Sequence, residues 1–362
     1  MQQQDKAILL SHKLMGIVKM LVATIIFVLL GLVFLIVFAL SGDFIFKTTS
    51  PEKNTETQLP VATATTETQP AINYWQAPDI AQLGSAPQDE LVKYGKELIV
   101  NTAKYLGPKG SVMHTTNGMN CQNCHLEGGT KPLGNNYGAV FANYPKYRAR
   151  SGQEEDIYKR INDCMERSLN GKPLKNNSKE MQAIKAYIEW LGKDVPKGTQ
   201  PEGSGIYNLA FMDRAASAEK GKLVYDAKCQ SCHQANGEGV LHPEGIAYTY
   251  PPLWGEHSYN NGAGLYRISR FAGYVKYNMP LGASHQFTVL TDEEAWDVAA
   301  FVNSQPRPKK DLSKDWPKAE EKPVDHPFGP FADGFSEEQH KYGPFAPIKQ
   351  KLQEIKESKK TI

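Results

Sequence analysis

The feature that most constrains the fold is a short motif that occurs twice. Cys121–His125 reads CQNCH and Cys229–His233 reads CQSCH. Two thiols three positions apart can bond to the two vinyl groups of one haem, and the adjacent histidine then lies under the iron. A zinc pair or a disulfide could also use two close cysteines, but neither needs a histidine directly after each pair. The repeated motif therefore predicts two covalently bound haem c groups.

Similar segments flank the two motifs. An amphipathic helical pattern precedes each motif, at residues 89–107 and 218–228. A closing helix is predicted after the second motif, at 291–304, where Thr291 and Glu294 form a capping-box pattern. The corresponding segment after the first motif has one apolar helix face, made of Met181, Ile184, Ile188 and Leu191.

Each unit therefore consists of a helix, a haem motif, loops and a closing helix. This order resembles the class I cytochrome c fold. We expect an all-α protein with two class I cytochrome c-like domains in tandem, at residues 74–203 for the first haem and 204–305 for the second. For the remaining residues, 306–362, we expect an extended tail with a short terminal helix.

The N-terminus predicts a membrane anchor. Met20–Leu40 is an uninterrupted apolar run of 21 residues, long enough to cross a bilayer, and three lysines precede it. A cleaved signal peptide is the alternative, although the run is longer than a usual signal-peptide core. We expect a single-pass inner-membrane protein with its haem domains in the periplasm. Its first 73 residues would then form a cytoplasmic N-terminus (1–19), one transmembrane helix (20–41) and a disordered tether (42–73).

Residues ahead of the closing helices are candidates for the sixth ligand of each iron. In class I cytochromes this ligand usually lies shortly before the closing helix, and Met279 occupies that place in the second unit. Met279 lies 17 positions before Trp296, and Cys164 lies 17 positions before Met181. We therefore expect Met279 on the second iron and Cys164 on the first, with Met165 as the competing ligand.

A helix is predicted around Cys164. It would begin near Ser151, which opens a possible capping box, and end before Gly171. Met165 is rotated about 100° from Cys164 on such a helix. The alternative role for Cys164 is that of a small buried hydrophobic residue, which free cysteines often have. Four-residue spacing gives one stripe on this helix, made of Arg160, Cys164 and Ser168.

Basic residues are concentrated around this helix. From Tyr144 to Lys175 there are eight Lys and Arg against five Asp and Glu, whereas the whole chain has 41 against 39. The balanced total argues against a nucleic-acid-binding protein. The local excess suits a small sulfur-containing anion, because arginine makes bidentate contacts to oxyanions and a thiolate reacts with sulfane sulfur.

Several of these segments together resemble the dihaem thiosulfate dehydrogenases. The resemblance is carried by residues 141–174, the two haem motifs, Met279 and the tail segment 327–345, and it covers roughly residues 75–350. It implies an enzyme that joins two thiosulfates into tetrathionate and releases two electrons. Some members of the family also catalyse the reverse reduction.

The resemblance also implies roles for individual residues. His125 and Cys164 match the ligands of the active-site haem in a catalytic first domain. His233 and Met279 match the ligands of the second haem, in an electron-transfer domain. Some relatives have a lysine that replaces the methionine, but Lys276 lies too close to Met279 to match it. The family's substrate pocket is matched by Arg150, Arg160 and Ser168.

A dihaem electron carrier without a substrate of its own is the alternative function. Such a carrier would have Met or His on both irons and no need for Arg150 and Arg160. The expected partners of the enzyme are thiosulfate and tetrathionate, a periplasmic electron-transfer protein such as a cytochrome c, and the membrane through the N-terminal helix.

Overall fold

The computed structural model describes residues 19–21, 24–26, 29–32 and 73–359. The chain divides into two compact units, Met1–Gln69 and Pro70–Ile362. Most of the predicted anchor, 20–41, and nearly all of the predicted tether, 42–73, lie outside the described residues. Within the described ranges, no helix is both long and apolar enough to cross a bilayer. The transmembrane helix therefore stays a prediction.

The second unit is mostly helical. Its first half contains α1 (Pro87–Val100), α2 (Thr102–Leu106), α3 (Leu126–Gly129), β1 (Lys146–Arg148), β2 (Gln153–Glu155), α4 (Ile157–Arg167) and α5 (Lys179–Leu191). Its second half contains α6 (Ala218–Lys228), α7 (Gln230–His233), β3 (Val240–Leu241), β4 (Tyr248–Tyr250), α8 (Ile268–Asn278), α9 (Asp292–Ser304), α10 (Glu337–Tyr342) and α11 (Ala346–Ser358). The two short hairpins β1–β2 and β3–β4 are antiparallel and are the strands that the described residues add to the mostly helical architecture expected for an all-α protein.

In each half, the helix before the haem motif crosses the closing helix at very short range. A Cβ atom on Gly95 of α1 would lie 2.0 Å from the carbonyl oxygen of Ala183 in α5. A Cβ atom on Gly221 of α6 would lie 1.8 Å from the carbonyl oxygen of Asp297 in α9. Only glycine permits such an approach. The same crossing in both halves supports an internal repeat of the cytochrome c type.

The closing helices agree with the sequence pattern. On α5, the side chain of Ser178 accepts a hydrogen bond from the backbone N–H of Met181, and the predicted apolar face is buried. On α9, Thr291 and Glu294 form the predicted capping box. Caps of this kind stabilise a helix by about 1 kcal/mol each. The short terminal helix is also present, as α11.

The helix that carries Cys164 begins later than predicted. Its N-cap is Asp156, whose side chain accepts a hydrogen bond from the backbone N–H of Lys159, so the capping box proposed at Ser151 was wrong. The preceding residues pair as β1 and β2, and Gly152 makes the turn with a φ of +68°. The helix also ends earlier than predicted, at Arg167 with Ser168 as its C-cap, although Asn170 does take the left-handed conformation with a φ of +45°.

The tail that follows α9 is fixed to both domains by buried ion pairs. Asp315 accepts two hydrogen bonds from the guanidinium of Arg167, at 2.7 and 2.8 Å. Asp325, whose side chain is fully buried, lies 2.6 Å from Nη2 of Arg267 and accepts a hydrogen bond from the backbone N–H of Ser269 at the start of α8. The tail therefore contacts both cytochrome c-like domains through ion pairs.

We expect Asp325→Ala to lower the stability of this unit by about 3 kcal/mol, because it leaves Arg267 without its buried partner. Burial raises the pKa of Asp325, but Arg267 and Ser269 outweigh burial and hold the pKa below its ordinary value. The stabilisation that the Asp325 carboxylate provides should therefore be complete above the pKa that this carboxyl group has in the unfolded chain. It should disappear as the pH falls through the lower pKa that the group has in the folded protein. Denaturant midpoints measured between pH 7 and pH 3 check both expectations.

Asp311→Ala is the matched control for this prediction. Asp311 lies in the same tail but is exposed, and its carboxylate accepts a hydrogen bond from the backbone N–H of Ser313. Its loss should change the unfolding free energy by no more than about 0.5 kcal/mol. Equal midpoints for the Asp325 and Asp311 variants would contradict the role of the buried pair.

Candidate functional site

The second motif and Met279 line one cavity of about 350 Å³. Nδ1 of His233 lies 2.9 Å from the carbonyl oxygen of Pro251. A carbonyl can only accept, so Nδ1 carries the proton and Nε2 is free to bind a metal. Burial lowers the pKa of His233, which favours this neutral ring. The structure thus brings together the predicted residues of the second haem site, which are Cys229, Cys232, His233 and Met279.

A smaller cavity contains the predicted ligands of the first haem. His125 and Cys164 both line it, and so do Cys121 and Arg160. Nδ1 of His125 lies 2.5 Å from the carbonyl oxygen of Asn135, so this histidine is also held with Nε2 free. The ring of Tyr137 stacks on His125 with 4.4 Å between the ring centroids.

The residues present fit two covalently bound haems. All four motif cysteines have free thiols, and each motif histidine has its Nδ1 engaged by a backbone carbonyl oxygen. The walls of the larger cavity are mainly apolar side chains such as Leu253, Leu265 and Phe271, which suit a porphyrin face. Met279 and His233 line the same cavity, as an axial ligand pair requires.

One contact distinguishes Cys164 from its neighbour Met165. Both residues line the smaller cavity, so the rotation of about 100° between them on α4 does not remove Met165 from its wall. The guanidinium of Arg160, however, donates a hydrogen bond from Nη1 to Sγ of Cys164 at 3.1 Å. The charge of Cys164 raises the pKa of Arg160 above its ordinary value, against the opposing effect of burial. An arginine therefore lies beside the predicted sulfur ligand, one helical turn away.

Arg150 is placed differently from Arg160. It lies in the turn between β1 and β2, and it is not among the residues that line the cavity of Cys164. Its guanidinium lies 5.8 Å from the ring of Trp316 in the tail. Burial lowers the pKa of Arg150 to about 10, and the charge of Arg167 adds to this shift. Among the described residues, no hydrogen bond or ion pair reaches its side chain.

Ser168 also lies outside the smaller cavity. It is the C-cap residue of α4, and its backbone N–H donates to the carbonyl oxygen of Cys164 at 2.9 Å. Two of the three residues of the predicted stripe, Arg160 and Cys164, therefore line the cavity, and the third, Ser168, does not.

The two haem sites share a wall that sequence reasoning did not find. Cys124 belongs to the first motif, yet it lines the larger cavity together with the residues of the second motif. The hydroxyl of Tyr274 on α8 donates to the carbonyl oxygen of Asn123 at 3.1 Å, inside the first motif. The contact joins residues about 150 positions apart. It places the attachment site of one haem directly beside the cavity of the other.

Lys276 is occupied by other contacts. Its ammonium group donates to the carbonyl oxygen of Leu290 at 2.7 Å and pairs with Asp292 at 2.7 Å. These contacts tie the end of α8 to the start of α9.

Two family models match separate parts of the chain. The model described as SoxA/TsdA, cytochrome c domain, matches residues 111–196, and the model described as cytochrome c matches residues 218–306. Each match contains one of the two motifs and one of the two closing helices. The chain therefore has two cytochrome c domains, which hold two covalently bound c-type haems.

Similar proteins are found among curated sequences and solved structures. The thiosulfate dehydrogenase of Allochromatium vinosum is 40% identical over 218 residues, which are 59% of this chain and 79% of that protein. The thiosulfate dehydrogenase of Psychrobacter arcticus is 36% identical over 278 residues, which are 76% of this chain and 80% of that protein. The solved thiosulfate dehydrogenase (TsdBA) from Marichromatium purpuratum, in its "as isolated" form, matches with a TM-score of 0.60 and 32% identity; the match covers 66% of this chain and only 50% of that one.

Proposed function

This chain belongs to the thiosulfate dehydrogenase family, and from that premise we propose that it oxidises two thiosulfate ions to one tetrathionate at the cavity of His125 and Cys164. The observation that carries the proposal is the 3.1 Å hydrogen bond from Arg160 to Sγ of Cys164. An electron carrier without a substrate needs no arginine at a sulfur ligand. An enzyme that binds a sulfur-containing dianion at the Cys164 sulfur needs a positive charge there, and the Arg160 guanidinium supplies it.

Arginines overcome the repulsion between the two substrates. Each thiosulfate carries two negative charges, and two of them must approach within bonding distance. Arg160 can hold one sulfonate group beside Cys164, and Arg150 can hold the other from the β1–β2 turn, with the planar contacts that arginine makes to oxyanions. Fixing both ions in position turns a collision between like charges into a step within one complex. Ser168, one turn beyond Cys164, is the proposed donor of a further hydrogen bond to a sulfonate oxygen.

Cys164 supplies the sulfur that accepts the first thiosulfate. Its thiolate sulfur bonds to the terminal sulfur of one thiosulfate, and two electrons leave the pair of sulfur atoms. The second thiosulfate then attacks the terminal sulfur of this adduct, so that the central S–S bond of tetrathionate forms and the Cys164 thiolate is released. Two haems, held by His125 and Cys164 in the first domain and by His233 and Met279 in the second, would each supply a one-electron acceptor for this oxidation. The balance is two thiosulfates in, one tetrathionate and two electrons out.

The exit of electrons runs through the second domain. Cys124 and Tyr274 lie in the wall between the two sites, and Met279 lines the larger cavity beyond them. We propose that a periplasmic electron-transfer protein such as a cytochrome c receives the electrons there. Three lysines before the apolar run Met20–Leu40 support a periplasmic location with an inner-membrane anchor. The same site can run in reverse and reduce tetrathionate when electrons are supplied.

Thiosulfate-dependent reduction of the haem-loaded protein tests this function. Oxidised protein mixed with thiosulfate and no acceptor should show the absorbance of reduced haem and consume two thiosulfates per molecule. Tetrathionate added to the reduced protein should reoxidise it. A protein that ascorbate reduces but thiosulfate does not would be a dihaem electron carrier, and the proposal would be wrong.

A further inference from the structure

The C-terminal tail has an unusual backbone conformation at Trp316. Its φ is +61°, in the left-handed region that bulky side chains rarely adopt. Strained residues of this kind cluster at functional sites, where the surrounding structure holds them in place. The backbone N–H of Trp316 donates to the carbonyl oxygen of Arg150 at 2.6 Å. The strain therefore lies at the point where the tail meets the turn that carries Arg150.

The neighbours of Trp316 fix the tail to this turn from two sides. Asp315 binds the guanidinium of Arg167 with two hydrogen bonds, at 2.7 and 2.8 Å. Pro317 packs so closely on Gly152 that a Cβ atom there would lie 2.5 Å from Cγ of the proline. Because both flanks are fixed, the Trp316 ring has little freedom to move away from Arg150.

One fully buried donor in this region, the indole Nε1 of Trp316, has no hydrogen-bond partner. Nε of Arg167 makes no hydrogen bond either, but it lies 3.8 Å from Oδ1 of Asp163. Among the residues that the structure describes, no hydrogen bond reaches the half-buried guanidinium of Arg150 beside the Trp316 ring. The nearby carboxylates are engaged, since Asp315 binds Arg167 and Asp163 binds Lys159. Buried donors without acceptors are rare in folded proteins, and an oxyanion would supply the missing oxygen atoms.

We propose that Trp316 and Arg150 together form an oxyanion subsite, in which the indole ring positions the guanidinium and the indole N–H donates to a sulfonate oxygen of thiosulfate. The proposal rests on the proposed function and adds to it a residue from the tail, 166 positions away from Arg150. The tail is then part of the substrate site.

Calorimetric titration of thiosulfate into the fully reduced, haem-loaded protein tests the subsite without turnover, because reduced haems cannot accept electrons. Trp316→Phe keeps the ring and removes the N–H, so the dissociation constant should rise about five- to tenfold. Trp316→His restores a ring N–H and should recover part of the affinity. Arg150→Ala should raise the dissociation constant about tenfold or more, and combining it with Trp316→Phe should add less than the sum of the two single effects.

Tyr147→Phe is the matched control. The Tyr147 hydroxyl donates to Glu321 at 2.7 Å, so this change removes another tail contact on the same segment without touching Arg150. Steady-state assays should show a raised KM, an unchanged kcat and unchanged haem potentials for Trp316→Phe, and parent values for Tyr147→Phe. Parent affinity in Trp316→Phe, or equal losses in both variants, would overturn the subsite. Parent protein that binds thiosulfate but does not oxidise it would instead refute the proposed function and leave the subsite standing.

Discussion

Replacing Cys164 by methionine is expected to lower kcat/KM for thiosulfate oxidation by about 100-fold or more while the chain still folds and attaches both haems. Methionine fills a similar space and can still ligate iron through its thioether sulfur. A thioether sulfur already bonds two carbon atoms, so it cannot form the S–S bond to thiosulfate that the cysteine thiolate forms. The potential of the first haem should rise, since a neutral thioether stabilises the ferric iron less than a thiolate does.

The neighbouring methionine provides the control. Met165 is 1% exposed and lines the same cavity, and Met165→Leu conserves its volume, which usually costs less than about 1.5 kcal/mol. If Cys164 is the sulfur ligand, this variant should keep the parent haem spectrum and activity. Loss of the spectrum in Met165→Leu, together with parent activity in Cys164→Met, would assign the iron to Met165 and reduce Cys164 to a packing residue.

The local part of the site could be predicted from the sequence. The contact between Arg160 and Cys164 follows from four-residue spacing on one helix, and the spacing is correct even though the predicted start of that helix was not. The start was wrong because the N-cap is Asp156 and not Ser151. Asp156 took that role, since Gly152 allows the preceding residues to turn back as a hairpin.

The distant part of the site could not be predicted in this way. Trp316 meets Arg150 only because the tail folds back over the first domain, and no periodicity in the chain encodes a contact between segments so far apart. The wall that Cys124 and Tyr274 share has the same origin. Ion pairs such as Asp325 with Arg267 are equally invisible in a single sequence, because either residue alone has the pattern of a solvated surface charge.

The two pocket arginines are expected to respond differently to truncation. Arg160→Ala should raise KM for thiosulfate about ten- to 100-fold, the usual effect of losing hydrogen bonds to a charged group. It should also lower the potential of the first haem, because the guanidinium withdraws electron density from Sγ of Cys164 at 3.1 Å and its positive charge disfavours ferric iron. Arg150→Ala should raise KM without changing that potential, since Arg150 does not line the cavity of Cys164.

Arg160→Lys separates charge from geometry in this comparison. Lysine keeps the positive charge but loses the planar fork that binds an oxyanion through two parallel hydrogen bonds. Its haem potential should therefore stay near the parent value, while its KM should lie between those of the parent and Arg160→Ala. Redox titration and steady-state kinetics on the same preparations measure both quantities. If Arg160→Ala left both the potential and KM at parent values, the hydrogen bond to Cys164 would have no part in the reaction, and Arg160 would be a structural charge on α4.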